Sequence, residues 1–166
     1  MSGYYIYLIS SLPMLHFGAK PPFNMERFFS MCGELIPPED LETLKGSLKD
    51  EGEGRYHDFE IALRNELVKI RAQRKHLDPS KFLRRDGYAD QWISHAAAGA
   101  YRNPSVIGRE KMLDLERWRF LDELSVGHYF DIELLMAYAH KLSILEKWER
   151  VRAADANKLL EEALTA

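Results

Sequence analysis

The sequence predicts an all-α protein, an irregular bundle of five to seven helices that ends in a helical hairpin with a long last helix. Apolar residues recur at spacings of three and four through most of the chain, which is the period of one helix face. No glycine or proline follows Gly127 before Ala166, so no helix breaker interrupts the C-terminal part. The 166 residues predict a single helical domain spanning 1–166, because domains cluster at about 100–150 residues.

Composition and charge favour a folded protein of a reducing compartment. Hydrophobic residues make up 46% of the chain, which is too apolar for a disordered protein. Lys and Arg number 23 against 26 Asp and Glu, so no strong field attracts a polyanion and nucleic acid is not favoured as a partner. Cys32 is the only cysteine, which excludes a disulfide framework and a cysteine-based zinc site within one chain. The apolar stretch Tyr4–Leu15 is well short of the ~20 residues that span a bilayer, so we expect a cytoplasmic protein that meets the membrane only indirectly.

The N-terminal part predicts three short helices. Tyr4–Ile9 is rich in aromatic and β-branched residues, which locally favours a strand, but no second strand-like segment could pair with it. We therefore favour a short helix there, followed by a loop over Ser10–Pro22. Asn24 is a good N-cap for a helix that ends near Gly33. A third helix begins at the sequence PPED (37–40), where proline fits the first turn and the two acids favour the positive end of the helix dipole.

The middle of the chain predicts two further helices separated by a connector. Lys49–Arg55 has two glycines and no apolar residue, so it is predicted to be a solvent loop. In Tyr56–Leu77 the apolar positions step by four, four and three, which predicts a helix that Asp78-Pro79 stops. Ser80–Gly87 is a connector, and Ala89–Tyr101 is predicted to be a helix with a face of small residues.

The C-terminal part predicts the helical hairpin. Asn103 caps a helix that has Pro104 in its first position and runs to about Leu124, and Asp131 caps the last helix. Continued to the end of the chain, the last helix is about 50 Å long, so residues 149–166 are expected to project from the domain unless a partner covers them. Its apolar positions keep a spacing close to a heptad and are Leu135, Tyr138, Leu142 and Leu145.

Six histidines raise the question of a metal site. None of them has the one-turn spacing of a pair of zinc-binding histidines, and the Glu-x-x-His motif of a di-iron bundle is absent from the sequence. A carboxylate–histidine metalloprotein that uses His57, Glu60 and either His95 or His128 is therefore the least favoured interpretation. No metal, cofactor or catalytic residue is predicted, and the protein by itself is not expected to be an enzyme.

The turn of the hairpin contains Gly127, His128 and Asp131. The imidazole of His128 lies within reach of the capping carboxylate of Asp131, which is an arrangement that an acid–base site would also use. No nucleophile or second acid is recognisable beside it, so we interpret the three residues as structural elements that close the turn.

Charge is unevenly distributed along the chain. Lys69–Arg85 carries seven basic residues against the single acid Asp78, whereas Glu39–Glu53 carries six acids against two lysines. A solvated face is favoured over docking onto an acidic protein surface, and RNA binding ranks third because few aromatic residues there could stack on bases. The residues predicted to form a partner interface are Lys69, Arg71, Arg74, Arg84, Arg85, Leu145, Trp148 and Val151.

Three stretches carry a family resemblance: YYIYLISSLPML at the start, FGAKPPF at Phe17–Phe23, and FLDELSVGHYFDIELLMAYAHKLSILEKW at Phe120–Trp148. With them the chain resembles an uncharacterised bacterial family that is encoded beside genes of V/A-type rotary ATPases. Members of that family occupy the operon position of the V-type ATP synthase C subunit, and their C-terminal helices look similar to that subunit. The C subunit is a helical funnel that seats the central shaft on the membrane rotor ring and performs no chemistry.

The resemblance implies a non-catalytic helical subunit or an assembly factor of a V/A-type ATPase, with the central shaft and the membrane rotor ring as partners. An alternative is a free-standing helical adaptor or homodimer, in which an exposed stripe near Leu145, Trp148 and Val151 pairs with a second copy. The metalloprotein is the third hypothesis.

Overall fold

The regular structure in the described part of the chain is helical throughout, and no strand occurs in it. The computed structural model describes residues 2–49 and 52–165. The predicted all-α class, with a hairpin that ends in a long helix, is confirmed within these residues. The α-helices are α1 (Ser2–Ser11), α2 (Met25–Leu35), α3 (Pro38–Ser47), α4 (Arg55–Arg74), α5 (Gln91–Arg102), α6 (Val106–Leu124) and α7 (Ile132–Thr165), with a 3₁₀ helix at Pro79–Phe82.

The chain divides into two compact units. Unit 1 is Met1–Lys49 together with Leu121–Ala166, and unit 2 is Asp50–Phe120. The boundary between Phe120 and Leu121 falls inside α6. Unit 1 therefore takes α1, α2, α3, α7 and the last residues of α6, whereas unit 2 takes α4, α5 and most of α6. The single domain remains a prediction.

The interior of unit 1 is formed by the N-terminal helices and the first half of α7. The ring of Phe28 stacks on that of Tyr138, with 5.4 Å between their centroids. The ring centroid of Phe23 lies 6.4 Å from that of Tyr138. Burial raises the pKa of the Cys32 thiol to about 12, so it stays protonated and packs as a small apolar side chain. The buried residues of this core are Leu8, Phe28, Cys32, Ile36, Leu44, Leu135, Ala139 and Leu142.

The N-terminal predictions are largely confirmed. Tyr4–Ile9 lies within α1, so the helical alternative is correct. The Asn24 side chain accepts a hydrogen bond from the Arg27 N–H at 2.8 Å, which is the predicted cap, although α2 continues past Gly33 to Leu35. The predicted loop Lys49–Arg55 contains residues 50 and 51, which lie outside the described residues, and α4 begins at Arg55.

The interior of unit 2 brings α4, α5 and α6 together through aromatic and small residues. The rings of Phe59 and Phe120 stack with centroids 4.3 Å apart, and Trp92 lies 5.5 Å from Phe59. Ala97 and Ala100 are fully buried, so the predicted small-residue face of α5 does allow a close approach by its neighbours. The other buried members of this cluster are Ala62, Leu63, Ile93 and Leu113.

The predicted stop of α4 at Asp78-Pro79 is wrong by about one turn. α4 ends at Arg74, and His76 takes the left-handed conformation with φ +53°. The Leu77 N–H donates to the Ala72 carbonyl at 2.9 Å, which closes the Schellman motif of a helix C-terminus. Histidine tolerates this conformation better than most residues other than glycine, so the helix ends before the proline acts.

The predicted cap of α6 is also wrong. The helix begins at Val106, and its capping side chain is Ser105, whose hydroxyl accepts from the Gly108 N–H at 3.1 Å. The side chain of Asn103 instead accepts from the Ser105 N–H at 3.0 Å, a local turn that competes with helix capping. Asn103 and Pro104 therefore form the link between α5 and α6.

α7 is the long last helix that the sequence predicts. Asp131 caps it, because its Oδ1 accepts from the Leu134 N–H at 3.1 Å, and the helix runs for 34 residues. Its buried side chains end at Leu145, and every residue from Arg152 to Thr165 is exposed. None of the helices in the described ranges combines the length and the hydropathy that a membrane span requires.

Candidate protein-interaction surfaces

The core-facing stripe of α7 continues beyond the part of the helix that the rest of unit 1 covers. Eighteen residues make five turns of an α-helix, so positions 153, 160 and 163 lie on the same face as Leu135, Leu142 and Leu145. Those three positions are Ala153, Leu160 and Ala163. The large apolar residues beyond Arg152 are well exposed, with 67% of Leu159, 59% of Leu160 and 78% of Leu164 accessible. We call residues 153–165 the α7 extension.

The contacts of α7 with the N-terminal part of unit 1 reach as far as Arg152. The Glu146 carboxylate accepts from the Met25 N–H at 2.9 Å and so holds the N-terminus of α2 against α7. Six residues later the Arg152 guanidinium donates to Glu149 at 2.8 Å and to the Gly18 carbonyl at 3.2 Å. The first half of α7 is therefore held by unit 1, and the α7 extension follows directly from a fixed point.

The sequence placed the exposed stripe too early along α7. Leu145 is only 1% exposed, so its prediction as an exposed interface residue is wrong. Trp148 and Val151 are half-buried, and the Lys147 ammonium lies 5.7 Å from the Trp148 ring. The exposed Leu159, Leu160 and Leu164 lie about four to five turns beyond Leu145. Continuing the helical period of 18 residues per five turns from Leu142 leads to Leu160.

The hairpin turn has the geometry of a closed cap. Gly127 takes φ +86°, and His128 Nδ1 lies 2.6 Å from Asp131 Oδ2. The donor atoms of His128, Asp131 and Glu133 lie within 4.8 Å of one another, which is a set that a divalent cation could use. However, both oxygens of Asp131 already have partners, and the positive end of the α7 dipole disfavours a cation there. The arrangement therefore agrees with the structural interpretation of the turn.

The metal site that the third hypothesis drew from His57 and Glu60 lacks a free carboxylate. Glu60 Oε1 accepts from Arg117 Nε at 2.7 Å. In the ranges that the structure describes, the group of three possible metal donors includes none of His57, Glu60 and His95. Of the residues in that hypothesis, His128 is the one that the fold brings beside other donors.

Glu60 belongs to a partly buried ion network in unit 2. The Arg117 guanidinium also donates to Asp114 at 2.8 Å and lies 3.3 Å from Glu110. Asp114 is 1% exposed, and the Arg117 guanidinium stabilises its charge. Burial, and then the charge of Glu60, raise the pKa of the neighbouring Tyr56 well above its ordinary value. This network joins α4 to α6.

The basic stretch of the sequence does not form one surface. Lys69 is occupied within unit 2, because its ammonium donates to Glu66 at 2.6 Å and to the Gly87 carbonyl at 2.8 Å. Arg85 pairs with Asp58. The Asn65 side chain accepts from the backbone N–H of Arg84 and donates to its carbonyl, so the connector runs back along α4.

Arg84 and Arg85 therefore lie beside the first half of α4, whereas Arg71 and Arg74 lie near its end. Nine residues separate Asn65 from Arg74, which is about 13 Å along the helix. The side chains of Arg71, Arg74, Arg84 and Arg85 are exposed, as predicted for a surface patch. The predicted interface of Lys69, Arg71, Arg74, Arg84 and Arg85 is thus divided between two places on unit 2.

Arg74 meets residues that the sequence analysis did not single out. Its guanidinium carbon lies 4.8 Å from the centroid of the Tyr101 ring, and the guanidinium carbon of Arg109 lies at the same distance from the same ring. The Arg109 Nε–H donates to the Asn103 carbonyl at 2.6 Å. Three helices thus place two guanidinium groups on one tyrosine. No local pattern in the sequence predicts these contacts, because the three residues come from three separate helices.

An apolar cavity of about 390 Å³ lies within unit 1. At its edge the Lys141 ammonium pairs with Asp122 at 2.6 Å, and the Tyr138 hydroxyl donates to the Pro13 carbonyl at 2.9 Å. The remaining lining residues are Ile9, Leu12, Met14, Leu15, Ser125, Leu134 and Leu135.

Residues 95–165 match a protein family of unknown function, DUF2764. The matched stretch contains most of α5, all of α6, the hairpin turn and α7. No curated protein and no solved structure matches the chain. The matched family thus carries no assigned activity, and it covers both the hairpin and the α7 extension.

Proposed function

We propose that the protein is a non-catalytic helical subunit or assembly factor of a V/A-type proton- or sodium-translocating rotary ATPase. The resemblance of its three sequence stretches to the family encoded beside these ATPases supports the choice of complex. The exposed α7 extension is the structural feature that supports a docking role. It leaves three exposed leucines on a helix whose preceding turns are fixed in unit 1. The protein would meet the membrane only through the complex.

In this role the α7 extension docks on a helical partner subunit, either the central shaft or a component of the membrane rotor ring. Burial of one exposed leucine is worth about 1.5–3 kcal/mol, so three leucines supply enough apolar contact for a specific helix pairing. A force that the partner exerts on the α7 extension would be transmitted to the rest of unit 1 through Arg152 and the buried apolar face of α7. Packed surfaces, rather than a chemical step, perform the coupling.

Co-purification tests this proposal. The protein carries an affinity tag at its N-terminus, which leaves the α7 extension untagged, and is expressed in its own cells, from which the intact ATPase is isolated. We expect it in near-stoichiometric amount with the complex. Its absence from an intact and active ATPase overturns the proposal.

A pair of variants locates the contact. Leu160→Glu is expected to reduce recovery with the ATPase by about tenfold, because it puts a charge into the centre of the docked face. Ala154→Glu adds the same charge about 120° round the helix and is expected to change recovery by less than about twofold. Both positions are exposed, so neither variant should alter the melting temperature. Equal effects of the two variants would contradict docking through this face.

A homodimer is the second candidate, because the same exposed stripe could pair with a second copy. Light scattering on the purified protein distinguishes the two. A stable dimer that Leu160→Glu dissociates, and that does not co-purify with the ATPase, supports the homodimer and overturns the ATPase role. A monomer that co-purifies with the ATPase supports the first proposal.

A further inference from the structure

We infer that unit 2 carries a second docking surface, centred on Tyr101, that binds an acidic segment of a partner protein. The surface consists of two arginines on the Tyr101 ring and of the cations beside them in sequence. We call it the Tyr101 cluster, and its members are Arg71, Arg74, Lys75, Tyr101, Arg102 and Arg109. The inference depends on the geometry of unit 2 alone and does not depend on the ATPase role.

The cations of the Tyr101 cluster have no acidic partners among the described residues. In the described part of the chain, none of its five basic side chains forms an ion pair with a carboxylate. By contrast, Lys69 and Arg85 in the same unit each have a carboxylate partner. The C-termini of α4 and α5 offset the charge only in part, because each helix dipole contributes about half of a negative charge. The cluster therefore keeps a local excess of positive charge.

Two of the cations are held in place before any partner arrives. Arg74 and Arg109 both rest on the Tyr101 ring, so their guanidinium carbons lie no more than 9.6 Å apart, which is twice the 4.8 Å distance to its centroid. Arg109 is fixed further by its hydrogen bond to the Asn103 carbonyl. A guanidinium fixed in this way loses less conformational entropy when it receives a carboxylate in bidentate geometry.

The chemistry of the cluster favours an acidic protein over RNA. Sequence-tolerant binding of single-stranded RNA needs aromatic faces on which bases can stack. The ring of Tyr101 is already occupied by two guanidinium groups and offers no such platform. Arg71 lies one turn before Arg74 on α4, and Arg102 follows Tyr101 on α5, so carboxylates spaced along a peptide could reach several cations at once.

Fluorescence anisotropy with a labelled glutamate-rich peptide tests the inference. The wild-type protein is expected to bind the peptide with an affinity that falls as salt is raised. The double variant Arg74→Glu, Arg109→Glu is expected to weaken binding by at least about tenfold. Arg71→Glu is expected to weaken it by about threefold and leaves the Tyr101 ring contacts intact, so it tests the surface even if the double variant is unstable.

A matched double variant controls for net charge. Lys111→Glu with Arg119→Glu makes the same charge change on the exposed side of α6 and is expected to weaken binding by less than about twofold. If both double variants weaken peptide binding equally, the effect is due to net charge and the inference is overturned. Absence of peptide binding, or tighter binding to single-stranded RNA or to anionic vesicles, would also overturn it. None of these results bears on the co-purification test of the α7 extension.

Discussion

The buried polar side chains among the described residues, Asn65 and Asp114, both lie in unit 2, whereas the core of unit 1 is built from apolar side chains and Cys32. Asn65 clamps the connector to α4, and Asp114 pairs with Arg117. Unit 1 is thus stabilised mainly by apolar packing, whose strength grows with the area removed from water. Unit 2 adds polar contacts, each of which needs one particular partner.

The two units also differ in charge. Unit 1 has 9 Lys and Arg against 14 Asp and Glu, whereas unit 2 has 14 against 12. The whole chain is close to neutral because the negative net charge of unit 1 is partly offset by the slightly positive net charge of unit 2. A sequence-wide net charge excludes a polyanion partner only for the molecule as a whole, because local fields follow the local groups.

The largest effect is expected from breaking the ion network of unit 2. Arg117→Ala removes the guanidinium that pairs with the buried Asp114, so the free energy of unfolding should fall by about 3–5 kcal/mol. Arg119→Ala, two residues on, removes an exposed pair with Glu116 and should cost less than about 1 kcal/mol. Urea unfolding followed by circular dichroism measures both. Equal small losses would mean that unit 2, like unit 1, is stabilised by apolar packing alone.

In unit 1, a similar loss of unfolding free energy should follow from removing apolar side-chain volume, without any change of charge. Leu142→Ala removes a fully buried side chain from the core that α7 shares with α2 and should cost about 2–5 kcal/mol. Leu159→Ala removes the same atoms from an exposed site of the same helix and should cost less than about 0.5 kcal/mol. The same urea experiment applies. A large loss at Leu159 would show that the α7 extension is covered in solution.

What the sequence could predict follows from this difference between the units. The helices and the caps at Asn24 and Asp131 were correct, because the hydrophobic period and N-cap chemistry act over a few residues. The sequence does not predict the end of α4 near His76, because Asp78-Pro79 is the stronger local stop signal and a left-handed histidine has no sequence signature. The cap of α6 was misplaced because Asn103 forms its own turn two residues before Ser105.

The candidate surfaces show the same limit. The α7 extension was predictable in kind, since residues 149–166 were expected to project, and its stripe needed only the period to be continued. The Tyr101 cluster was not predictable, because Arg74, Tyr101 and Arg109 are separated in sequence and meet only through packing of three helices. The splitting of the basic stretch depends on the clamp between Asn65 and Arg84, which is also a long-range contact.

A titratable group tests how apolar the surroundings of α7 in unit 1 are. Burial lowers the pKa of His140 from 6.5 to about 4 in the folded protein. Between these values the unfolded chain binds the proton and the folded chain does not, so stability is full above pH 6.5 and falls as the pH drops towards 4. The loss is at most about 3–4 kcal/mol, since the pKa falls from 6.5 to about 4 and one pKa unit is worth about 1.4 kcal/mol.

The measurement is the free energy of unfolding at a series of pH values between 7.5 and 4.5, compared with that of His140→Leu. The variant should lose less stability than the wild type over this range, because it has no imidazole to protonate in the unfolded chain. Carboxylates titrate in both proteins and cancel in the difference. Parallel pH profiles would mean that water reaches His140 in the folded state and that this part of unit 1 is less apolar than its packing indicates.

The smallest effect is expected at the hairpin turn, where unit 1 does use a local polar contact. Asp131→Ala removes the cap of α7 and should cost about 1 kcal/mol. Asp131→Asn keeps an oxygen for the Leu134 N–H but removes the charge beside His128, so it should cost less than about 0.5 kcal/mol if capping is the main role of the side chain. Thermal unfolding at neutral pH separates the two. Equal losses in both variants would assign the stability of the turn to the carboxylate charge and its contact with His128, and the turn would then resemble the ion network of unit 2 more than a helix cap.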